Sequence, residues 1–344
     1  LLSTVSLGIL VPFLLYLTLY AIGIDVSWVV YIAVVLALVS TAAMIWMEGF
    51  YAMRHPGAPN VAGEPEPPAT AIICAYLPNE AATIVETIKR FLDVDYPAGL
   101  QVILAYNTPH PLPVEEELHA IAARHQRLLL LEVENSNSKA QNLNAALART
   151  SGSFVGVFDA DHHPEPDSYH RAWRWLYNGH AVVQGHCLVR NPEESFLARM
   201  VAVEFESIYS VAHPGRWLRD GFGIFGGSNG YWRTEVLHMT RMRGSMLTED
   251  IDASMRVLEA GGHIASDPGL VSRELATTTA RQIWNQRLRW AQGWTQVSLR
   301  HLWRMIRLTH FDVRQKFGVF MLLLQREIYP WLSLQIFPLL AFWW

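Results

Sequence analysis

The clearest candidates for chemistry are two carboxylates that stand one residue apart. Asp159 and Asp161 directly follow the apolar run at residues 154–158 (FVGVF). A short apolar run of this kind predicts a buried strand, with both carboxylates at its carboxyl end. There they could hold a hard divalent cation together with a diphosphate. The same spacing occurs at two other aspartate pairs, so a solvated loop is the alternative, and we expect His162 and His163, which follow, to be exposed loop residues.

A lysine at the start of a predicted helix is a second candidate. Lys139 lies at the beginning of the helical pattern 138–148, with Asn142 and Asn144 close behind it. The first turn of a helix presents free N–H groups and the positive end of the helix dipole, which suits a phosphate. A capped helix with a solvated lysine explains the same residues equally well.

Acidic residues also stand at the start of the predicted amphipathic helix 251–260. Glu249 and Asp250 precede it, where a carboxylate is most often a cap. Such a carboxylate can also act as a general base, because the helix holds it rigidly toward a pocket. The preceding loop at 221–231 (GFGIFGGSNGY) combines glycines, which allow close backbone approach, with aromatic residues, which can stack on a sugar.

Residues 281–303 predict a basic helix that is rich in tryptophan. Helices of this composition commonly lie in a membrane interface, and this structural interpretation is compatible with a catalytic one. Gln286, Arg289 and Trp290 stand at i, i+3 and i+4, so they share one face of the helix. A guanidinium near a diphosphate and an indole against a sugar ring would suit that face.

Short apolar runs alternate with helical patterns in the middle of the chain, and these elements must position the candidate residues. The predicted strands are 71–75, 102–105, 128–133 and 154–158, and the predicted helices between them are 81–92, 115–125 and 138–148. Apolar strands that alternate with helices predict a parallel sheet covered on both faces. Ligands bind such sheets at the carboxyl ends of the strands.

The apolar excess lies at the two ends of the chain. Within residues 1–47 the only charged residue is Asp25, and the stretches on either side of it each supply the roughly 20 apolar residues of a membrane-spanning helix. They predict a transmembrane hairpin, since a signal peptide is shorter and begins with basic residues. Residues 317–325 predict an interfacial helix and 328–344 a third span. Because the chain opens with Leu and stops in an apolar run, we expect it to be part of a longer protein.

Composition excludes several classes of protein. The chain has 344 residues, of which 51% are hydrophobic and 17% are charged, and its net charge is −4. Disordered chains, coiled coils and collagen-like repeats have quite different compositions. A near-neutral chain offers no field that attracts nucleic acid. Two cysteines cannot form a disulfide framework in a chain of this length.

Taken together, these residues resemble the signature of the membrane-bound, processive family 2 glycosyltransferases, which include cellulose, chitin and hyaluronan synthases. The motifs that carry the resemblance are DxD at Asp159–Asp161, TED at 248–250, QxxRW at 286–290, KAxxLN at 139–144 and the loop 224–230 (IFGGSNG), which is similar to FFCGS of cellulose synthases. Each motif is short, but their order and spacing inside a domain flanked by apolar segments make the set specific. The resemblance covers residues 69–300 and the flanking segments.

The resemblance implies a GT-A fold, a UDP-sugar donor, most simply UDP-glucose, and a single displacement that inverts the anomeric carbon. Asp161 would hold Mg²⁺ or Mn²⁺ on the diphosphate, and Asp250, with Glu249 beside it, would take the proton of the acceptor hydroxyl. The other positions carried over divide into the donor-binding residues Ala75, Tyr76, Glu80, Asn107, Lys139, Asp159 and Arg289, and the acceptor-binding residues Gly227, Ser228, Gln286 and Trp290. The family is a group of hexosyltransferases of polysaccharide biosynthesis, so the implied acceptor is the non-reducing end of a growing β-glycan that is also moved across the membrane.

Two departures from the family pattern bear on substrate identity. The second strand ends in Ala105-Tyr106-Asn107 where the family usually has a pair of aspartates, although the amide of Asn107 can still hydrogen-bond a uracil. The loop GGSNG differs from the cellulose-type sequence, which leaves the linkage open. Two alternatives remain: a non-processive enzyme that acts on a lipid acceptor, and a catalytically silent membrane scaffold.

The expected architecture is α/β, a GT-A domain with a mostly parallel central sheet, flanked by transmembrane and amphipathic interfacial helices. Its expected parts are a transmembrane hairpin at 1–47, a Pro-rich linker at 48–68, a cytosolic GT-A domain at 69–275, interfacial helices at 276–325 and the start of a further span at 326–344. The flanking basic residues Arg54, Arg314 and Lys316 place the domain in the cytoplasm by the positive-inside tendency. We therefore expect a multi-pass protein of the bacterial inner membrane that contacts the lipid bilayer and binds no nucleic acid.

Overall fold

A computed structural model describes residues 2–61 and 63–344, and a mixed sheet lies at its centre. The sheet order is β3-β2-β1-β4-β7-β6-β8-β5, eight strands within the described residues. In chain order these are β1 (Ala69–Tyr76), β2 (Leu100–Asn107), β3 (Leu128–Glu132), β4 (Phe154–Asp159), β5 (His163–Pro164), β6 (Val182–Val189), β7 (Gly230–Arg233) and β8 (Ile264–Glu274).

Within the described residues, three short π-helical turns (Ser6–Leu10, Ser207–Ala212 and Phe320–Gln325) continue α-helices. In chain order they are α1 (Leu2–Val5), α2 (Val11–Ala21), α3 (Ser27–Ala52), α4 (Leu77–Glu80), α5 (Ile84–Leu92), α6 (Val114–Ala122), α7 (Lys139–Leu147), α8 (Ser168–Tyr177), α9 (Phe196–Glu206), α10 (His213–Asp220), α11 (Thr234–Thr240), α12 (Glu249–Glu259), α13 (Ala280–Ile306), α14 (Val313–Val319), α15 (Arg326–Leu334) and α16 (Ile336–Trp343). The strands and helices predicted between residues 71 and 158 are present, with ends that lie within three residues of the predicted ones.

The first half of the sheet is the predicted parallel one. Strands β1, β2, β3 and β4 pair in parallel, and the side chains of β1, β2 and β4 are mostly buried because helices cover both faces. The register places Tyr76 opposite Asn107 and Cys74 opposite Asp159. The carboxyl ends of β1, β2 and β4 therefore meet at one edge of the sheet.

The second half of the sheet contains the two strands that depart from the predicted mostly parallel arrangement, while the other six described strands run in one direction. Strand β7 runs antiparallel to both β4 and β6, and β5 runs antiparallel to β8, so the sheet is mixed. Gly230 begins β7 and lies opposite Val157 near the end of β4. Because the two strands run in opposite directions, the glycine-rich loop before β7 reaches the edge at which β4 ends.

Two N-terminal helices are long and apolar enough to cross a membrane. They cover Ser3–Ala21, with a mean hydropathy of 1.9, and Ser27–Ala52, with a mean hydropathy of 2.4. The second helix ends at Ala52, so the first five residues of the predicted linker, 48–52, are helical.

The expected third span at 328–344 is not a single helix. Helices α15 and α16 are separated at Gln335 and have nine and eight residues. Pro338 explains the break, because its ring clashes with the carbonyl of Leu334 and it has no N–H to donate to that carbonyl. The interfacial helix expected at 317–325 is present as the end of α14 and the π-helical turn that follows it.

Helix α3 is attached to the rest of the protein through α10. A Cβ at Gly215 would lie 2.1 Å from the carbonyl oxygen of Glu48, so only glycine allows the two backbones to come this close. The Glu48 carboxylate pairs with Arg216 and Arg219 at 3.2 Å each. A charged cluster thus joins the end of an apolar helix to the domain that holds the sheet.

Candidate active site

Lys139 connects three elements at the carboxyl edge of the sheet. It is the first residue of α7, and Ser138 caps this helix by accepting the N–H of Gln141. The Lys139 ammonium forms an ion pair with Asp159 at the end of β4 and donates to the carbonyl of Gly227 at 2.7 Å. Burial opposes its charge, but Asp159 and then Glu249 outweigh this effect and raise the pKa of Lys139. The lysine is therefore fully charged and held in place.

The glycine-rich loop brings Asp250 of the TED motif to the same place. Ser228 accepts the backbone N–H of Asp159 at 3.0 Å, which fixes the loop on the end of β4. Gly227 has φ +98°, and a Cβ there would lie 2.9 Å from Oδ2 of Asp250. Both the backbone angle and the contact require glycine at this position. The loop thus sets the Asp250 carboxylate beside the strand end.

Asp250 lies in the first turn of α12 and has the properties of a general base. Burial and the neighbouring Glu249 raise its pKa to about 7. A carboxylate with this pKa accepts a proton at neutral pH more readily than an ordinary aspartate. The helix that carries it is packed on the domain through Ile251, Ala253 and Met255, which are buried.

A second group of carboxylates surrounds Asp161. Its Oδ2 accepts the N–H of Leu275 at 3.0 Å, next to Glu274 at the end of β8. Burial raises the pKa of Glu80 to about 7, with further contributions from Asp161 and Asp159. The Oε1 atom of Glu274 is buried without a hydrogen-bond partner among the described residues. Among the described residues neither Glu80 nor Asp161 forms an ion pair with a cationic side chain, so these two carboxylates suit a hard divalent cation such as Mg²⁺ or Mn²⁺.

Glu274 is a residue that sequence reasoning missed. It ends a strand at the ligand-binding edge, and that position would have been the signal. Strand β8 was not predicted, because its sequence IASDPGLVSRE is neither continuously apolar nor alternating.

The expectation that His162 and His163 are exposed is wrong. Both are buried, because β5 pairs with β8 and carries them under the sheet edge. His162 lies 3.3 Å from Oε2 of Glu274 through Nε2 and 3.0 Å from Oγ of Ser272 through Nδ1. Burial opposes a charge on the ring, but Glu274 outweighs it and raises the pKa of His162.

The QxxRW face of α13 forms the opposite wall of a cavity of about 510 Å³. Gln286, Arg289 and Trp290 line this cavity together with six other residues singled out by sequence: Lys139, Asp159, Gly227, Ser228, Glu249 and Asp250. Arg287, which sequence reasoning did not single out, lies 4.1 Å above the Trp290 ring and pairs with Glu204. The spacing of the motif therefore places its three side chains where the helix analysis put them.

The remaining predicted residues lie at the neighbouring strand ends and do not line this cavity. Ala75 and Asn107 are joined by Asn142, whose amide donates to the Ala75 carbonyl at 3.1 Å and to Oδ1 of Asn107 at 2.8 Å. The Asn107 amide also donates to the carbonyl of Ser136 at 3.0 Å. Tyr76 is 45% exposed beside them. Asn107 thus connects two loops and keeps one N–H and one oxygen lone pair for a ligand.

Comparison with known proteins identifies the family and the fold. Residues 67–293 match the family model described as "Glycosyltransferase like family 2". The chain is 25% identical over 248 residues to the probable glycosyltransferase YdaM of Bacillus subtilis (strain 168), covering 70% of this chain and 59% of that protein. It is also 25% identical over 242 residues to poly-beta-1,6-N-acetyl-D-glucosamine synthase of Staphylococcus epidermidis, covering 67% and 55%. The chain thus spans somewhat more than half the length of these relatives.

Solved structures share the fold. The mannosyltransferase PcManGT from Pyrobaculum calidifontis, in complex with GDP-Man and Mn²⁺, has a TM-score of 0.66 and 23% identity over 90% of this chain and 86% of that one. TarS 1–349 of S. aureus, in complex with UDP-GlcNAc, has a TM-score of 0.53 and 13% identity over 76% and 73%. Both likenesses support a GT-A-like α/β fold with a mixed sheet. With the family model covering most of the chain, this protein belongs to glycosyltransferase family 2.

Proposed function

We propose that this protein is an inverting glycosyltransferase that moves a sugar from a UDP-sugar to the hydroxyl of a growing β-glycan. The observation that carries the proposal is the position of Asp250. Its carboxylate lies against Gly227 and lines one cavity with Lys139 and the QxxRW face. A base, a cation for the leaving group and an aromatic platform for an acceptor sugar thus share one space.

The residues of the chain would divide the work as follows. Asp250 would accept the proton of the acceptor hydroxyl while that oxygen attacks the anomeric carbon, and the nucleoside diphosphate would leave from the opposite face. Lys139 and Arg289 would stabilise the charge that develops on the diphosphate, and Lys139, which is already held in place, needs no rearrangement during the reaction. Trp290 would hold the acceptor sugar by stacking. A divalent cation on Asp161, near Asp159 and Glu80, would offset the negative charge of the leaving group.

The names of the relatives support the choice of substrates. A relative is named as a poly-β-1,6-N-acetylglucosamine synthase, and the fold neighbour TarS binds UDP-GlcNAc. The synthase signature in the sequence points instead to UDP-glucose among hexose donors. Both are UDP-hexoses, so hexosyl transfer from a UDP-sugar is the common proposal.

Membrane insertion is part of the proposal. The two apolar segments Ser3–Ala21 and Ser27–Ala52 expose most of their surface, as lipid-facing helices do, and Arg54, which follows the second, supports a cytoplasmic catalytic domain. We propose a multi-pass protein of the bacterial inner membrane that passes its polymer across the bilayer.

A lipid acceptor is the second candidate, and one observation favours it. A cavity of about 590 Å³ lies between α3, α13 and α15, and Arg216, Trp294 and Arg326 line both this cavity and the catalytic one. An apolar chain along α3 would place a polar headgroup near the base. The scaffold alternative is disfavoured, because Asp161, Asp250 and Arg289 are all present.

The test is a donor screen with the purified membrane protein. UDP-glucose, UDP-GlcNAc and GDP-mannose are supplied in turn with Mg²⁺ or Mn²⁺, and the radiolabelled product is sized. We expect a polymer from a UDP-sugar, whereas a single-sugar glycolipid would replace the first candidate with the second.

Asp250→Asn tests the assignment of the base. Because general-base catalysis contributes roughly 10²–10⁴-fold, we expect a loss of transfer of that order with donor binding retained. Asp93→Asn is the matched control, since Asp93 is exposed at the end of α5. Full activity of the Asp250→Asn variant would contradict the assignment of Asp250 as the general base.

A further inference from the structure

A buried charged cluster joins the helix of the proposed base to the helix of the QxxRW face. Asp252 and Glu259 project from α12 toward His301 on α13. Asp252 and His301 are each 0% exposed. Neither α12 residue forms part of the catalytic cavity, so the cluster has no direct part in binding sugars.

The geometry determines the protonation state of His301. Its Nε2 lies 2.9 Å from Oδ1 of Asp252, and its Nδ1 lies 2.8 Å from Oε1 of Glu259. A neutral imidazole has one N–H and can donate to only one of these carboxylates, whereas an imidazolium donates to both. Burial opposes the charge, but the hydrogen bonds to Asp252 and Glu259 outweigh burial and raise the pKa of His301.

Both carboxylates also contact arginines. Asp252 also pairs with three arginines, and Glu259 pairs with one; these are Arg256 at 2.8 Å, Arg243 at 3.3 Å and Arg300 at 3.9 Å from Asp252, and Arg304 at 2.9 Å from Glu259. Burial opposes the charge of Asp252, but His301 and Arg256 outweigh it and lower the pKa. The ring is therefore the buried centre of the cluster, and the arginines are its more exposed rim.

A second contact joins the same two helices close to the catalytic cavity. A Cβ at Gly293 on α13 would lie 2.5 Å from Cγ2 of Thr248, the residue before Glu249. Gly293 is also the first buried residue of α13, three residues after Trp290. Helix α13 is thus held against α12 at two points, one beside the base and one at His301.

We propose that His301 is a positioning residue: as an imidazolium between Asp252 and Glu259 it fixes α13 against α12, and loss of its proton at alkaline pH slows transfer. This proposal rests on the proposed role of Asp250 as the base. The sign follows from proton linkage. Because the pKa of His301 is raised, both of its hydrogen bonds to carboxylates are present below the ordinary histidine pKa of 6.5. One of them is lost as the pH rises through the raised pKa.

Glu259→Gln is the sharpest test, because it removes one of the two carboxylates while keeping the shape of the side chain. We measure kcat and the donor KM from pH 6 to pH 10. An opposite charge within hydrogen-bond distance shifts a pKa by about 1–3 units, so the alkaline fall of kcat should move at least about one unit toward acid. The donor KM should not change.

Arg304→Gln is the control, because it removes the exposed partner of the same glutamate without contact with the ring. Removing this cation leaves His301 easier to protonate, so the alkaline fall should stay or move to higher pH. His301→Gln should lower kcat several-fold at neutral pH and abolish the alkaline fall.

An alkaline fall that is the same in Glu259→Gln and wild type overturns the proposal. A lower melting temperature with an unchanged pH profile would show a structural role alone and overturns it too. If Asp250→Asn removes activity while Glu259→Gln leaves the profile unchanged, only the role of His301 fails. If Asp250→Asn is fully active, the assignment of Asp250 as the base is wrong, and the role of His301 that rests on it is wrong as well.

Discussion

The two walls of the catalytic cavity are built differently. On the sheet side, Lys139, Asp159 and Ser228 are held by hydrogen bonds and an ion pair between three elements. On the helix side, residues 281–292 of α13 include no buried residue, and Arg289 reaches only the carbonyl of Leu247 at 3.4 Å. One wall is fixed by contacts between three elements. On the other wall Trp290 is held between Arg287 and Phe205, and Arg289 is the least restrained side chain.

This difference suits the two substrates that we propose. A nucleoside diphosphate has the same shape in every cycle, so a preorganised site stabilises its leaving group at no cost of rearrangement. An acceptor chain that grows moves after each transfer, so its contacts with the protein must be weak enough to break. Changes to the sheet side should therefore reduce kcat strongly, and a change at Trp290, the proposed acceptor contact on the helix side, should raise the acceptor KM moderately.

Among changes other than that of the proposed base, Asp161→Asn should have the largest effect on kcat. It removes the proposed cation ligand, and losing several kcal/mol of charge stabilisation corresponds to a loss in kcat of about 100-fold or more. Chelation of divalent cations should produce the same loss in the wild type, reversed by Mn²⁺. Asp95→Asn, at an exposed aspartate, is the control. Wild-type transfer in excess chelator would contradict the prediction.

Gly227→Ala should cause the next largest loss of kcat. An added Cβ would meet the Asp250 carboxylate at 2.9 Å, and displacing a catalytic group by about 1 Å can cost up to roughly 100-fold. Gly179→Ala is the control, because Gly179 also has a positive φ, +93°, but nothing lies within 4 Å of its Cβ position. Equal kcat losses in the two variants would mean that backbone strain, not contact with the base, is responsible.

The change of kcat with pH should be smaller than the losses in these two variants. Because the pKa of Asp250 is raised to about 7, the base is protonated below that pH, and kcat should fall about fivefold between pH 7 and pH 6. Glu249→Gln removes a neighbouring charge that raises this pKa, so the fall should move to lower pH. A profile that Glu249→Gln leaves in place would exclude Asp250 as the titrating group.

Trp290→Ala should have the smallest effect. Loss of one aromatic contact costs about 0.5–1.5 kcal/mol, or roughly a 2- to 10-fold rise in the acceptor KM, with donor affinity unchanged. Trp284→Ala, on the same helix but 62% exposed and away from the cavity, should change neither constant. A drop in donor affinity in Trp290→Ala would place this tryptophan on the donor side.

Local patterns explain which parts could be predicted. The strands that end in Tyr76, Asn107 and Asp159 are continuous apolar runs, so their ends and the side chains there could be read from the sequence. The face that carries Gln286, Arg289 and Trp290 follows from helical spacing alone. Strand β8 was not predicted, because Asp267, Pro268 and Gly269 interrupt its apolar residues. The position of Glu274 and the burial of His162 depend on this strand, so they were not predicted either.

The sequence by itself determined the family, the parallel strands and the side chains that meet at their ends, because each depends on a periodicity or motif within one segment. Only the tertiary structure decided that β7 runs antiparallel and brings Gly227 to Asp250, and that His301 lies between two carboxylates of another helix. Gly227 and Asp250 are 23 positions apart in the sequence, and His301 is 42 positions from Glu259 and 49 from Asp252. No local pattern encodes them, since burial and charge pairing arise only when the elements pack.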